Sequence, residues 1–175
     1  MTGLARSPSS LRRAVLGCSI VTLLLSPYAG PRPASAASGP FAQFSGSWSG
    51  TGTIRQGDAS TERIRCAANY RVRGSTGHEV DLHLRCTSDT YNFDLVGQFQ
   101  ADEQNMIAGR WSEQSRNIGG SAIGRARGDN LQIHVESSGF AANVAMVTRG
   151  RRQSVTINSQ GGGQIVTASI TLRRN

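Results

Sequence analysis

From Phe44 onward, apolar and polar residues alternate almost without interruption. Phe44, Gly46, Trp48, Gly50, Gly52 and Ile54 share one face of the first run. Ile64, Cys66, Ala68, Tyr70 and Val72 then alternate with Arg63, Arg65, Asn69, Arg71 and Arg73, and Val80, Leu82, Leu84 and Cys86 alternate with Glu79, Asp81, His83 and Arg85. Similar runs surround Phe93–Phe99, Ile107–Trp111, Leu131–Val135, Phe140–Met146, Val155–Ile157 and Val166–Leu172. A period of two is the signature of strands with one buried face. The stretch from Ile118 to Arg127 is weaker, with three glycines and no clean phase. No helical stripe holds for three turns. The pattern predicts an all-β chain of eight to ten strands.

Register follows from the same pattern. A hairpin across Gly74–His78 that opposes Cys66 to Cys86 also opposes Val72 to Val80, Tyr70 to Leu82, Arg73 to Glu79 and Arg71 to Asp81. A slip of one residue would set the apolar face of one strand against the charged face of the other. Around Ala101–Asn105, the same reasoning pairs Phe99 with Ile107, Gly97 with Gly109 and Leu95 with Trp111. Sequential hairpins of this kind make an antiparallel meander. With one apolar and one charged face per strand, the meander is expected to close into a barrel with an apolar interior. An outer-membrane barrel would want two aromatic girdles, and the chain has few aromatics to build them.

The N-terminal region reads differently. Arg6, Arg12 and Arg13 precede an apolar run of twelve, Ala14–Leu25. That run is too short to span a core of ~30 Å at ~1.5 Å per residue. Pro27, Pro31 and Pro33 follow, and Ala34-Ser35-Ala36 offers the small residues of a cleavage site. Residues 1–36 are therefore expected to be a secretory signal peptide, 37–42 a short arm and 43–175 a single barrel domain. Export to the bacterial periplasm or medium changes the charge. All 19 basic residues are Arg, and four leave with the leader, so 15 against 11 acids gives +4 rather than +8. That modest excess permits an anionic envelope surface as partner and does not call for nucleic acid. Cys18 leaves too, and Cys66 and Cys86 are expected to form one disulfide in an oxidising compartment.

Phe44-Ser45-Gly46-Ser47-Trp48 resembles the F-x-G-x-W opening of calycin barrels, the lipocalin and fatty-acid-binding group. The resemblance implies that Trp48 plugs one barrel end under an arginine of the last strand, Arg174 or alternatively Arg173. The avidin barrels and the small periplasmic metalloprotease inhibitors open on a similar G-x-W strand. Gly109-Arg110-Trp111 is similar to a later avidin strand, and the inhibitors share one early disulfide.

Catalytic and metal chemistry find little support. His78, His83 and His134 fall in a turn or on polar faces, Glu79, Asp81 and Glu136 point outward, and no G-x-S-x-G elbow occurs. Arg127-Gly128-Asp129 reads as turn chemistry, and Gly161-Gly162-Gly163 as a hairpin loop without a following helix. The outward row Arg63, Arg65, Arg71, Arg73 and Arg85 is either a solvated face or a docking strip for an anionic surface. Inward positions mix large residues with many small ones, which either relieve strand curvature or leave a cavity. Trp48, Tyr70, Phe93, Phe99, Trp111 and Phe140 are the candidate lining of such a cavity.

The expectation is an exported, non-enzymatic protein, without cofactor or metal, that holds a small apolar ligand or lipid. The alternative is a protein-interaction module, such as a periplasmic protease inhibitor or an envelope accessory protein. The mature protein is expected to have no transmembrane segment. N-terminal sequencing of the exported protein should begin at Ala37 or Ser38. Recovery with Met1 intact in the membrane fraction would overturn the processing expected here.

Overall fold

The computed structural model describes residues 38–160 and 165–175. The leader expected over 1–36, the first arm residue and the triple glycine at 161–163 lie outside the described residues. Ten strands are placed in chain order: β1 Gly46–Gln56, β2 Thr61–Arg73, β3 Glu79–Thr87, β4 Asn92–Ala101, β5 Met106–Glu113, β6 Ile118–Arg127, β7 Asn130–Ser137, β8 Phe140–Arg149, β9 Arg152–Gln160 and β10 Ile165–Arg174. Each pairs antiparallel with the next, and β10 pairs back onto β1 to close the barrel. Closure leaves no edge strand with unpaired N–H and C=O groups.

The β2–β3 register is the one that alternation requires. Cys66 faces Cys86, Tyr70 faces Leu82, and Arg73 faces Glu79. Cys66 and Cys86 are joined by a disulfide. The β4–β5 register differs from the sequence expectation by two residues: Leu95 pairs with Glu113, Gly97 with Trp111 and Phe99 with Gly109. A two-residue shift keeps every side chain on its face, so alternation does not detect it. The turn decides it. Asp102 accepts hydrogen bonds at Oδ1 from the N–H groups of Gln104 and Met106, at 3.0 and 2.7 Å, and Asn105 takes φ 60°. This side-chain turn places Ala101 opposite Ile107.

The stretch with no clean phase forms β6. Its inward positions are Gly120, Ala122, Gly124 and Ala126, whereas Ile123 points out and is 62% exposed. Small residues inside and a large apolar one outside erase the sequence contrast. The glycines answer to crowding. A β-carbon on Gly120 would collide with the Glu136 carbonyl oxygen of β7, and one on Gly50 would collide with the Thr171 carbonyl oxygen of β10. Close backbone approach at such corners lets a coiled sheet bend shut.

The barrel has two unlike ends. One carries the turns after β2, β4, β6 and β8 together with the segment that enters β1. The interior there is sealed: Phe41, Phe44, Trp48, Tyr70, Val80, Ile107, Leu131 and Leu172 are all buried. At the other end, the turns after β1, β3, β5 and β7 surround inward side chains such as Phe93, Leu95 and Ile157, which are only half-buried.

The disulfide spans 20 residues of sequence. Closing a loop of that size contributes roughly 2–4 kcal/mol, less any strain between adjacent strands. Alkylation of the native protein should leave Cys66 and Cys86 unmodified until a reductant is added. Modification of both without reduction would refute the bond.

Candidate functional site

The closed end is built from the arm. Gly39 N–H donates to the Thr76 carbonyl at 2.6 Å and Phe41 N–H to the Gly77 carbonyl at 3.0 Å, which fastens the arm to the β2–β3 turn. A turn closed by Phe44 N–H on the Phe41 carbonyl, 2.9 Å, then points both rings into the barrel. Phe41 and Phe44 meet edge-on at 5.9 Å, and Phe44 meets Tyr70 edge-on at 5.3 Å. The arm is therefore a plug.

Trp48 sits beneath this plug, fully buried, with its indole Nε1–H donating to the Phe44 carbonyl at 2.7 Å. The Arg174 guanidinium lies 4.8 Å from its ring centroid. Arg174 is the direct cross-strand partner of Trp48, and its Nη2 donates to the Gln43 carbonyl. Beside them runs a buried polar chain. The Tyr70 hydroxyl donates to Gln153 Oε1 at 2.8 Å, and Gln153 Nε2 donates to Thr148 Oγ1 at 3.0 Å. Burial pushes the Tyr70 phenol well above its ordinary range, so it stays a neutral donor.

Above the plug lies an apolar cavity of about 120 Å³. Its walls include Phe41, Phe44, Leu84, Phe99, Trp111 and Ile133, and Tyr70 brings the only hydroxyl among the lining residues. Four of the six residues expected to line it do so: Tyr70, Phe93, Phe99 and Trp111. Trp48 and Phe140 do not, which corrects the sequence expectation. Trp48 packs edge-on against Tyr70 at 6.4 Å, and it is Tyr70 that lines the space, whereas Phe140 packs edge-on against Trp111 at 6.2 Å, toward the half-open end.

The mouth has a polar fixture that the sequence pattern did not single out. Tyr91 stacks on Phe93 with centroids 6.4 Å apart, and the Arg116 guanidinium lies 4.6 Å from the Tyr91 centroid. Arg116 also donates to the Asn92 carbonyl at 3.1 Å and pairs with Glu113 at 3.5 Å. The Glu113 side chain is fully buried and accepts from the N–H groups of Asp94, Ser115 and Arg116 at 3.0, 3.1 and 2.7 Å. Burial pulls its pKa upward, but the donors outweigh that, and the carboxyl ends below the usual glutamate range. Glu113 therefore stays ionised and pins the β5–β6 turn. Its alternation phase was readable, because it follows Trp111 on the inward face, but an inward acid at a strand end has no distinctive sequence signature.

The outward arginine row is partly neutralised. Arg73 pairs with both Glu79 and Asp81 at 3.3 Å, and Arg85 pairs with Asp94 at 3.0 Å. Arg71 faces Asp81 in register, yet it is the diagonal Arg73 that reaches the carboxylate. His83 pairs with Asp94 at 2.8 Å and His134 with Glu136 at 3.0 Å, both on the outer face. Among the described residues, no group of three or more His, Cys, Asp or Glu is placed to hold a metal ion. No helix among them is long and apolar enough to cross a membrane.

No family model matches the sequence. No curated protein matches it either. Solved structures do resemble the fold. The S-type phycobiliprotein lyase CPES from Guillardia theta superposes with a TM-score of 0.56 at 15% identity, covering 77% of this chain and 90% of that one. The protein Rv2717c from M. tuberculosis superposes with a TM-score of 0.60 at 12% identity, covering 78% and 93%. Together with the closed ten-strand ladder, these likenesses show a calycin-like barrel.

If Trp48 and Arg174 stabilise each other through the ring face, their contributions are coupled. Trp48→Ala should cost ~3–5 kcal/mol, as expected for a buried tryptophan. Arg174→Ala should cost less, and a double-mutant cycle read by chemical denaturation should give a coupling of ~0.5–2 kcal/mol. Coupling below about 0.5 kcal/mol would show that the two residues merely adjoin.

Proposed function

We propose that the protein is an exported, non-enzymatic binding protein that takes a small apolar ligand, or the apolar tail of a lipid, through the half-open end of the barrel. The observation that carries this reading is the cavity itself: about 120 Å³ of space walled by apolar side chains, beneath a mouth whose inward residues are half-buried. A dry cavity of roughly 150 Å³ with Leu, Ile and Phe walls accepts a benzene-sized group. The resting space therefore suits one slender apolar group, with the rest of the molecule at the mouth.

The wall chemistry sets the ligand's polarity. No ionised side chain lines the space, and Tyr70 already spends its hydroxyl proton on Gln153. A charged head buried there would lose its hydration without a partner, which is strongly unfavourable. The ligand enters tail first, and its polar portion stays near Arg116 and Tyr91.

One structural neighbour is a lyase. The non-enzymatic reading here rests on the walls, which bring no acid–base pair and no activated nucleophile to the cavity. The protein-interaction reading also has an observation in its favour, the ordered aromatic plug of the arm. That plug, however, is spent inside the barrel and offers no ring to a partner.

Trp111 lines the cavity and Trp48 does not, so fluorescence separates ligand entry from general change. An apolar probe such as cis-parinaric acid should shift the emission of wild type and of Trp48→Phe, but not of Trp111→Phe. Leu84→Trp should fill the space and weaken probe binding at least about tenfold while the melting transition remains cooperative. Saturable binding that Leu84→Trp leaves intact would place the ligand elsewhere and sink the proposal.

A further inference from the structure

Turns at the closed end bring together arginines that are distant from the row noted in the sequence. Arg149 at the end of β8 pairs directly with Arg152 at the start of β9, and Arg152 pairs directly with Arg173 on β10. All three point outward and are exposed, because Thr148, Gln153 and Leu172 occupy the adjacent inward positions. Arg151 in the connecting turn is exposed as well and donates from Nη2 to the Arg174 carbonyl at 2.9 Å. Four guanidinium groups thus crowd one rim of the barrel.

Little offsets them. Asp129 pairs with Arg149 at 3.5 Å. Among the described residues, no carboxylate side chain pairs with Arg151, Arg152 or Arg173. Like charges directly opposed across a ladder destabilise a sheet, and here two such pairs stand side by side. On the β2–β3 face, by contrast, Arg73 and Arg85 each sit against carboxylates of a neighbouring strand. Repulsion tolerated at one rim and relieved on another face points to an anionic partner that completes the rim from outside.

We propose that this rim, Arg149, Arg151, Arg152 and Arg173, docks the protein on an anionic phospholipid surface. Two features favour a bilayer over a discrete anion. All four arginines are exposed, so none of them offers a buried donor to enclose one phosphate. The chain preceding Ser38, with its apolar run Ala14–Leu25, joins the barrel at this same end through the Gly39–Thr76 and Phe41–Gly77 hydrogen bonds. Docking in this orientation leaves the mouth facing away from the membrane, and it does not depend on whether the cavity is filled.

Flotation of the purified exported protein, without the leader, with lipid vesicles tests the assignment. Binding should be strong with mixed phosphatidylcholine–phosphatidylglycerol vesicles, absent with phosphatidylcholine alone, and weakened by salt. Each arginine near such a surface contributes about fivefold, so R151S/R152S/R173S should lose about a hundredfold. R63S/R65S/R71S removes the same charge from the β2 face and should stay within about twofold of wild type. The rim triple should melt at or above the wild-type temperature, since it removes repulsion. Should it fail to fold, Arg173→Gln alone should still lose about fivefold. Equal losses in both triples would reduce the effect to net charge, and a loss only in the β2 triple would move docking to that face. Equal binding to neutral vesicles, or tighter binding of a single-stranded oligonucleotide through the same rim, would likewise overturn the proposal.

Discussion

Everything in this molecule depends on the ladder that joins its last strand to its first. Until β10 pairs with β1, the meander is a twisted open sheet with two unpaired edges, and its apolar face has nothing to pack against. Closure turns that face inward on itself. The joint is made where backbones come unusually close, at Gly50 and Gly52 against Thr171 and Ser169. It is then locked at its end by the pairing of Trp48 with Arg174. A side chain at either glycine would hold the strands apart, and without the lock the closed end would lose the group that seats Phe44 and Gln43 above it. The seam therefore carries both the topology and the plug.

Much of the fold was legible because period-two alternation records a buried face residue by residue. It located the β2–β3 register, since ion pairs, apolar partners and two cysteines all agreed on one pairing. It stayed silent about displacements of two, which preserve every face, and so β4–β5 had to be fixed by Asp102 in the turn. It blurred again at β6, where glycine and alanine face inward and Ile123 faces water. Of the six aromatics and tyrosines expected at the cavity, the two that miss it were phased correctly but lie along the barrel axis beyond its ends. Alternation reports which face a residue occupies and says nothing of depth along the axis. Depth is set by strand offsets, and these come from the turns. For the same reason Arg116 and Tyr91, both supplied by turns, went unmarked at the mouth.

The two ends divide the physical work. At the plugged end the buried indole donates to the Phe44 carbonyl, and a neutral phenol, Gln153 and Thr148 form a hydrogen-bonded chain, so the apolar floor of the cavity rests on satisfied polar groups. At the other end the polar groups are engaged at the rim and the apolar walls are left partly open to solvent. Glu113 shows how the rim is held without a packed core: three N–H donors and one guanidinium keep a buried carboxylate ionised and fix the turn beside the opening. Satisfied polar groups below and a pinned rim above let the walls between them remain incompletely packed.

The many small inward residues raised two alternatives, relief of curvature or an empty interior, and the structure divides them. Gly50 and Gly120 serve curvature, because the neighbouring carbonyl occupies the place of a side chain. Gly109 meets the Gln98 carbonyl oxygen in the same way, and both it and Gly97 also make room for a ring. A β-carbon on either would strike the ring of Phe99, which lies across both. Part of the space that these glycines vacate is thus filled by a single aromatic, and the cavity that remains is small. The number of small inward residues therefore does not by itself set the size of the cavity. Phe99 is itself half-buried and lines the space, so one ring both covers the two glycines and forms part of the cavity wall.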